Sequence, residues 1–287
     1  MELKFSKYHG LGNDYLVYDP QQNQYTLTEQ DVIKICHRNY GLGSDGILVG
    51  PIYFGGQFSV RILNPDGSEA EKSGNGTRIF ARYLKDSGYV KAEDCDILTL
   101  GGTVHATYLT PDGRIIRMSM GTLSFYSDAV GVTGERREVV NETMRFGGRE
   151  YACTCATIGN PHCVIPMEEV SKEKVCEIGR YSETAEYFPN RINTQIVQVL
   201  DRNNIQIEIF ERGAGYTLAS GSSSCAAAGA AHKLGLVDGN VKVHMPGGIL
   251  QIEIDEGYSV QMTGSVNKVG EMILSDEVLQ SPYGSSK

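Results

Sequence analysis

The 287-residue chain has no tryptophan, no CxxC pair, no block of like charge and no apolar run near the roughly 20 residues of a membrane span. Each absence removes a class of function. Without a long apolar run there is no membrane helix. Lys and Arg number 26 against 35 Asp and Glu, giving a net charge of −9. A phosphate backbone is held by a basic surface, so nucleic acid is excluded as a partner. The opening MELKFSKYHG lacks the apolar core of a secretory signal. The seven cysteines are an odd number without the spacing of a disulfide framework, which fits reduced thiols. The expectation is a cytoplasmic protein without a membrane anchor.

What the sequence does have is apolar content, at 40%, and 34 glycines. Its length allows one large domain or two ordinary ones. Most of it reads as short strands, with alternating or β-branched apolar residues: 59–63, 103–109, 115–120, 195–200, 205–210, 241–244 and 249–254. PDG at 111–113, DRNN at 201–204 and PGG at 246–248 punctuate them. Four segments read as helices. Residues 28–38 open with Thr-x-x-Asp, a capping-box variant, and 170–179 is amphipathic. The other two follow Ser73 and Ser220 and are apolar enough to be buried.

Those two segments share an entrance: KSGNG at 72–76 and ASGSS at 219–223. A shift of 147 residues superposes them, and other landmarks follow without gaps. Gly12-Asn13 falls on Gly159-Asn160, Val17 on Val164, Ala81 on Ala228, and Gly88-Tyr-Val90 on Gly235-Leu-Val237. A constant offset through separate motifs implies an internal duplication of one α/β unit. Two-fold related copies would set equivalent loops on opposite sides of a cleft. Taken alone, each serine is a helix cap, worth about 1 kcal/mol. Taken as a pair, the entrances aim helix N-termini at one anion. Gly74, Gly76 and Gly221 would let backbone approach closely. Such donors stabilise the enediolate left when a proton leaves the carbon next to a carboxylate. One side chain per face could remove that proton and return it on the other side.

The chain resembles the diaminopimelate epimerase family over nearly its whole length. FSKYHGLGNDYLVYD at 5–19, NPDGSEAEKSGNGTRIFARYL at 64–84, GNPHCVI at 159–165, RIN at 191–193, ERGAG at 211–215, SGSSSCAAA at 220–228 and PGG at 246–248 carry the likeness. The resemblance implies an α+β fold of two homologous domains. Each would be a barrel-like, mostly antiparallel sheet around a central helix, with the active site in the cleft. The first would span 1–120, completed by about 271–287, and the second 121–270. It implies an epimerase of lysine biosynthesis working without pyridoxal, other cofactor or metal, and a homodimer. The substrate would be an amino acid with a second acidic group. Asn13, Asn64, Asn160 and Asn193 would hold its polar groups, and Arg212 its distal carboxylate. Backbone at Gly74, Asn75, Gly221 and Ser222 would bind the reacting carboxylate. Ser73 and Ser220 would stand at the acid/base positions, with His162 and Glu211 tuning them.

The family has cysteine at both acid/base positions. A thiol, with reference pKa about 8.5, ionises readily at a helix N-terminus. A serine hydroxyl needs an activating partner, and neither serine has one evident in sequence. Glu69 or Glu71 could supply a carboxylate at the first entrance. Ile79, Tyr216, Ser223 and Ser224 also depart from the family pattern, which favours natural divergence over an engineered pair. Three functions stay open: an epimerase using hydroxyls, a catalytically silent amino-acid binder, and a different isomerase or dehydratase on the same scaffold. Cys225 is expected to point into the core. Cys153 and Cys155 read as buried strand thiols, their spacing matching no common zinc pattern.

Overall fold

The computed structural model describes residues 2–281. The chain divides into two compact units. One runs to Met118 and includes the stretch from Gly264 onward; the other is Ser119–Thr263. Residues 282–287, part of the segment expected to complete the first domain, lie outside the described residues. No described helix is long and apolar enough to cross a membrane.

In the first unit, β1 (Leu3–Gly10) pairs antiparallel with β2 (Asn13–Tyr18), which runs parallel to β3 (Ile47–Phe54). A parallel neighbour requires a crossover, and α1 (Glu29–Cys36) lies in it. The expected capping box is present: Thr28 accepts from the Asp31 amide, and Asp31 accepts from that of Thr28. The helix stops at Cys36, because His37 is extended and its N–H folds back to Lys34 O. Antiparallel to β3 runs β4 (Gln57–Leu63), which carries the short β5 (Glu69–Ala70). The second crossover holds α2 (Gly74–Asp86) and leads to β6 (Asp94–Thr99), parallel to β4. β7 (Gly102–Tyr108) and β8 (Ile115–Thr122) follow as an antiparallel meander.

After the short α3 (Ser127–Val130), the second unit repeats this order. β9 (Glu142–Phe146) flanks β10 (Arg149–Thr157), which pairs antiparallel with β11 (Pro161–Pro166). α4 (Lys172–Ser182) crosses to β12 (Asn193–Asp201), parallel to β11. β13 (Asn204–Glu211) returns antiparallel and carries β14 (Gly215–Thr217). α5 (Gly221–Lys233) crosses to β15 (Asn240–Met245), parallel to β13, and β16 (Gly248–Ile254) and β17 (Ser259–Ser265) close the meander. The chain then supplies β18 (Asn267–Leu274) to the free side of β1, the place that β9 takes beside β10, and ends in α6 (Asp276–Gln280). Helices α2 and α5 coincide residue for residue under the 147-residue shift.

Each unit wraps its sheet around one helix. Residues 75–84 of α2 are buried, touching β1, β2, β3, β4, β6 and β7. α5 is buried over 223–231 against β10, β11, β12, β13, β15 and β16. α5, enclosed by strands, meets core on every side, which is why its sequence is not amphipathic in the ordinary way, whereas α2 keeps polar residues on one side, among them the buried Arg78 and Arg82. The small residues of GSSSCAAAGAA let the strands close on α5. Cys153, Cys155 and Cys163 pack in the core of the second unit, and Cys225 is buried in α5.

Candidate functional site

Both serines are N-caps. Ser73 Oγ accepts from the Gly76 amide at 3.0 Å, and its carbonyl accepts from Thr77 N at 2.9 Å. Ser220 Oγ accepts from Ser223 N at 3.4 Å, and its carbonyl from Ser224 N at 3.1 Å. Each carbonyl thus takes the first intrahelical bond, and each side-chain oxygen satisfies one of the four orphan amides of its helix. The amides of Gly74 and Asn75, and of Gly221 and Ser222, keep no intrahelical acceptor. Neither α2 nor α5 has an acidic residue in its first turn, whereas α1, α4 and α6 do. The positive ends of α2 and α5 are therefore not neutralised by their own side chains.

Around Ser73, β2 contributes Asn13 and Tyr15. Asn13 Oδ1 accepts from Asn75 Nδ2 at 3.2 Å, while its own amide donates to Asp45 at 2.8 Å. Buried Arg78, one turn along α2, donates to Asn75 Oδ1 at 2.9 Å. Asp45 and Asp14 share Arg38, and Lys7 also pairs with Asp14 at 2.8 Å. Asp14 is held below the usual carboxylate range: its burial works against this, but the Arg38 and Lys7 contacts prevail. This cluster fixes the first residues of β2. Tyr15 Oη lies 3.3 Å from Ser73 Oγ. Asn64 is not drawn into the group; its side chain and backbone bond Ser68 within the NPDGS turn. Glu69 is engaged by Arg61 at 2.9 Å and so is no free base.

Around Ser220 the duplicated bond recurs. Asn160 Nδ2 donates to Ser222 Oγ at 3.1 Å, the counterpart of Asn75 to Asn13 under the same shift. Asn160 Oδ1 lies 3.0 Å from His162 Nε2. An amide oxygen only accepts, so Nε2 carries the proton and Nδ1 is a lone pair. His162 is fully buried, and burial drives its pKa down to about 3; Gln195 opposes the fall and the Arg212 charge adds to it. The imidazole is therefore neutral near pH 7.

Glu211, at the end of β13, has its carboxyl beside the Ser220 hydroxyl. Burial pushes its carboxyl above the ordinary value, and the serine partly offsets that. Glu211 and Arg212 do not form a surface ion pair: Arg212 Nη1 donates to Asn190 O at 3.0 Å. Asn193 is a brace, donating to Pro161 O at 2.8 Å and accepting from Arg212 N at 3.0 Å.

The structure thus groups Asn13, Ser73, Gly74 and Asn75 in one unit. In the other it groups Asn160, His162, Ser220, Gly221, Ser222 and Glu211, with Asn193 and Arg212 joined backbone to side chain. Sequence reasoning missed Tyr15 and Arg78. Arg78 had a signal in its i, i+3 spacing from Asn75; Tyr15 had none.

The family profile for diaminopimelate epimerase matches residues 5–126 and 154–269. Diaminopimelate epimerase 2 of Nostoc sp. (strain PCC 7120) is 50% identical over 96% of this chain and 97% of its own length. The diaminopimelate epimerase of Moorella thermoacetica is 35% identical over 93% of this chain and 97% of its own. Among solved structures, a probable proline racemase from Agrobacterium radiobacter K84, determined with bound carbonate, superposes with a TM-score of 0.72. It is 13% identical, and the match covers 99% of this chain and 96% of that one, a likeness of fold. The chain belongs to the diaminopimelate epimerase family of isomerases.

Proposed function

We propose that the chain is a cofactor-independent amino-acid epimerase that interconverts LL- and meso-diaminopimelate, with Ser73 and Ser220 as its acid and base. The observation that carries this reading is the titratable side chain beside each serine: Tyr15 at Ser73 and Glu211 at Ser220. A lone hydroxyl is a poor base, and a hydroxyl bonded to a carboxylate can pass its proton on. The amides at Gly74, Asn75, Gly221 and Ser222, which have no acceptor within their own helices, suit the reacting carboxylate and the enediolate formed from it. Arg212 suits a distal carboxylate, because guanidinium binds one in a bidentate fork. His162, neutral, fixes Asn160 rather than delivering charge.

The test is proton NMR in D₂O with both isomers, on this protein and on Ser73→Cys/Ser220→Cys. Washout of the α-proton with conversion of the isomers supports the reading. An inert parent with an active double variant means that the site is built for this substrate and the hydroxyls silence it. If both are inert but bind the amino acid, the protein is a binder or acts on another substrate.

A further inference from the structure

We infer that Tyr15 is the proton partner of Ser73, a positioning residue that reprotonates the serine when it donates and relieves it when it accepts. The inference rests on the epimerase reading above and deepens it. Its first support is contact. Tyr15 Oη is 3.3 Å from Ser73 Oγ, and that oxygen gives only one lone pair to the Gly76 amide. The hydroxyl hydrogen and the other lone pair remain for the phenol. The ring is held in place, since a Cβ on Gly46 would come within 2.7 Å of Tyr15 Cε1. Tyr15 is only 7% exposed, so water does not freely compete for the pair.

The second support is the duplication. Under the 147-residue shift, position 15 corresponds to 162 and position 64 to 211. In the second unit the position-211 carboxylate serves the serine, while His162 turns to Asn160. In the first unit the equivalent of Glu211 is Asn64, which cannot exchange a proton at neutral pH and bonds Ser68. There the serine's neighbour comes from position 15 instead. Each serine has a titratable side chain beside it, Tyr15 or Glu211, drawn from different positions of the repeat.

The proton balance is as follows. When Ser73 reprotonates the substrate, its O–H bond breaks and the Cα–H bond forms. The Tyr15 O–H bond then breaks and the Ser73 O–H bond re-forms, leaving a phenolate. In reverse, the phenolate takes the serine proton as the serine oxygen takes the one on Cα. A phenol of reference pKa about 10 is a far better resting place for that charge than an alkoxide.

The experiment compares Tyr15→Phe in the parent and in the Ser73→Cys background, following α-proton washout in D₂O and binding of the amino acid. Washout in the parent background is expected to fall by about 10²- to 10⁴-fold, with binding unchanged. In the Ser73→Cys background the loss largely disappears, because a thiol exchanges its own proton. Equal loss in both backgrounds would make Tyr15 merely structural and overturn the inference, as would no loss in the parent. A second readout needs no turnover: tyrosine labelled with ¹³C at Cζ, with Tyr15→Phe used to identify the signal. Ser73→Ala is expected to shift the titration of Tyr15. An unmoved titration overturns the coupling. A shifted titration in a protein that exchanges neither isomer supports the coupling and sinks the proposed reaction alone.

Discussion

A serine at a helix N-cap ordinarily spends its oxygen on the third amide of the helix, and that alone explains its presence. Ser73 and Ser220 do so, and each also touches a titratable side chain. The cap was legible in the Ser-Gly spelling, and the family resemblance marked Glu211; the Tyr15 contact was not legible, because Tyr15 sits on a strand 58 residues from Ser73. His162 shows the same division. Its motif marked it, but only burial shows that it is kept neutral, with a pKa of about 3. Unfolding frees it to take a proton below about pH 6.5. The unfolded state then binds more protons, so the contribution of His162 is full above that pH. It falls by about 1.4 kcal/mol per pH unit as the pH drops toward 3. Glu211 runs the other way: its raised value favours the folded state at low pH and is lost as pH rises through it. Urea titrations at pH 7.5, 6 and 5 should show His162→Gln losing stability with acid less steeply than the parent. Parallel slopes would mean that the imidazole is protonated in the fold.

Elements were read well where local chemistry sets them. The Thr28 box and both serine caps begin their helices as expected. The helix expected at 170–179 is shifted, to Lys172–Ser182. Ser171 caps it by accepting from Lys174 N, and Gly179, which reads as a stop signal, lies inside it. The reason is tertiary. Phe210 on β13 presses on the helix at Gly179, where an added Cβ would lie 2.6 Å from Phe210 Cβ, near the backbone of β13. Gly179→Ala should therefore overpack α4 against β13 and destabilise by about 1–3 kcal/mol. It should also lower turnover, since Glu211 follows Phe210 directly and small misplacements cost rate. Gly229→Ala in α5 is the contrast. Its new methyl meets only the tip of Leu123, whose Cγ stays at 3.5 Å and can turn away. There the better helix propensity of alanine, up to about 1 kcal/mol, works in favour of the fold. Thermal melts of the two variants should separate by several degrees; similar melts would mean that Phe210 yields as easily as Leu123.

At the scale of the molecule the duplication was the most legible feature, because a constant offset survives substitution at individual positions. The structure adds one detail. Gly10 faces Asn13 across the first turn, whereas Thr157 faces Pro161 across the second, so β10 is offset from β1 by one residue more than the rest. What the sequence could not reveal is that the copies have diverged in how each serine is served, by a phenol in one and a carboxylate in the other. That divergence makes the two units chemically unequal halves of one proposed reaction. If each supplies the base for one configuration at Cα, removing one serine should spare half of the exchange chemistry. Glycine is the substitution of choice, since at an N-cap it costs only a few tenths of a kcal/mol against about 1 for alanine. Ser73→Gly and Ser220→Gly should both lose interconversion of the isomers. Each should still wash the α-proton from one isomer, and the two should differ in which. If one variant exchanges neither isomer while the other keeps full turnover, a single serine acts on both configurations, and the duplicated entrance of the other unit serves only to bind.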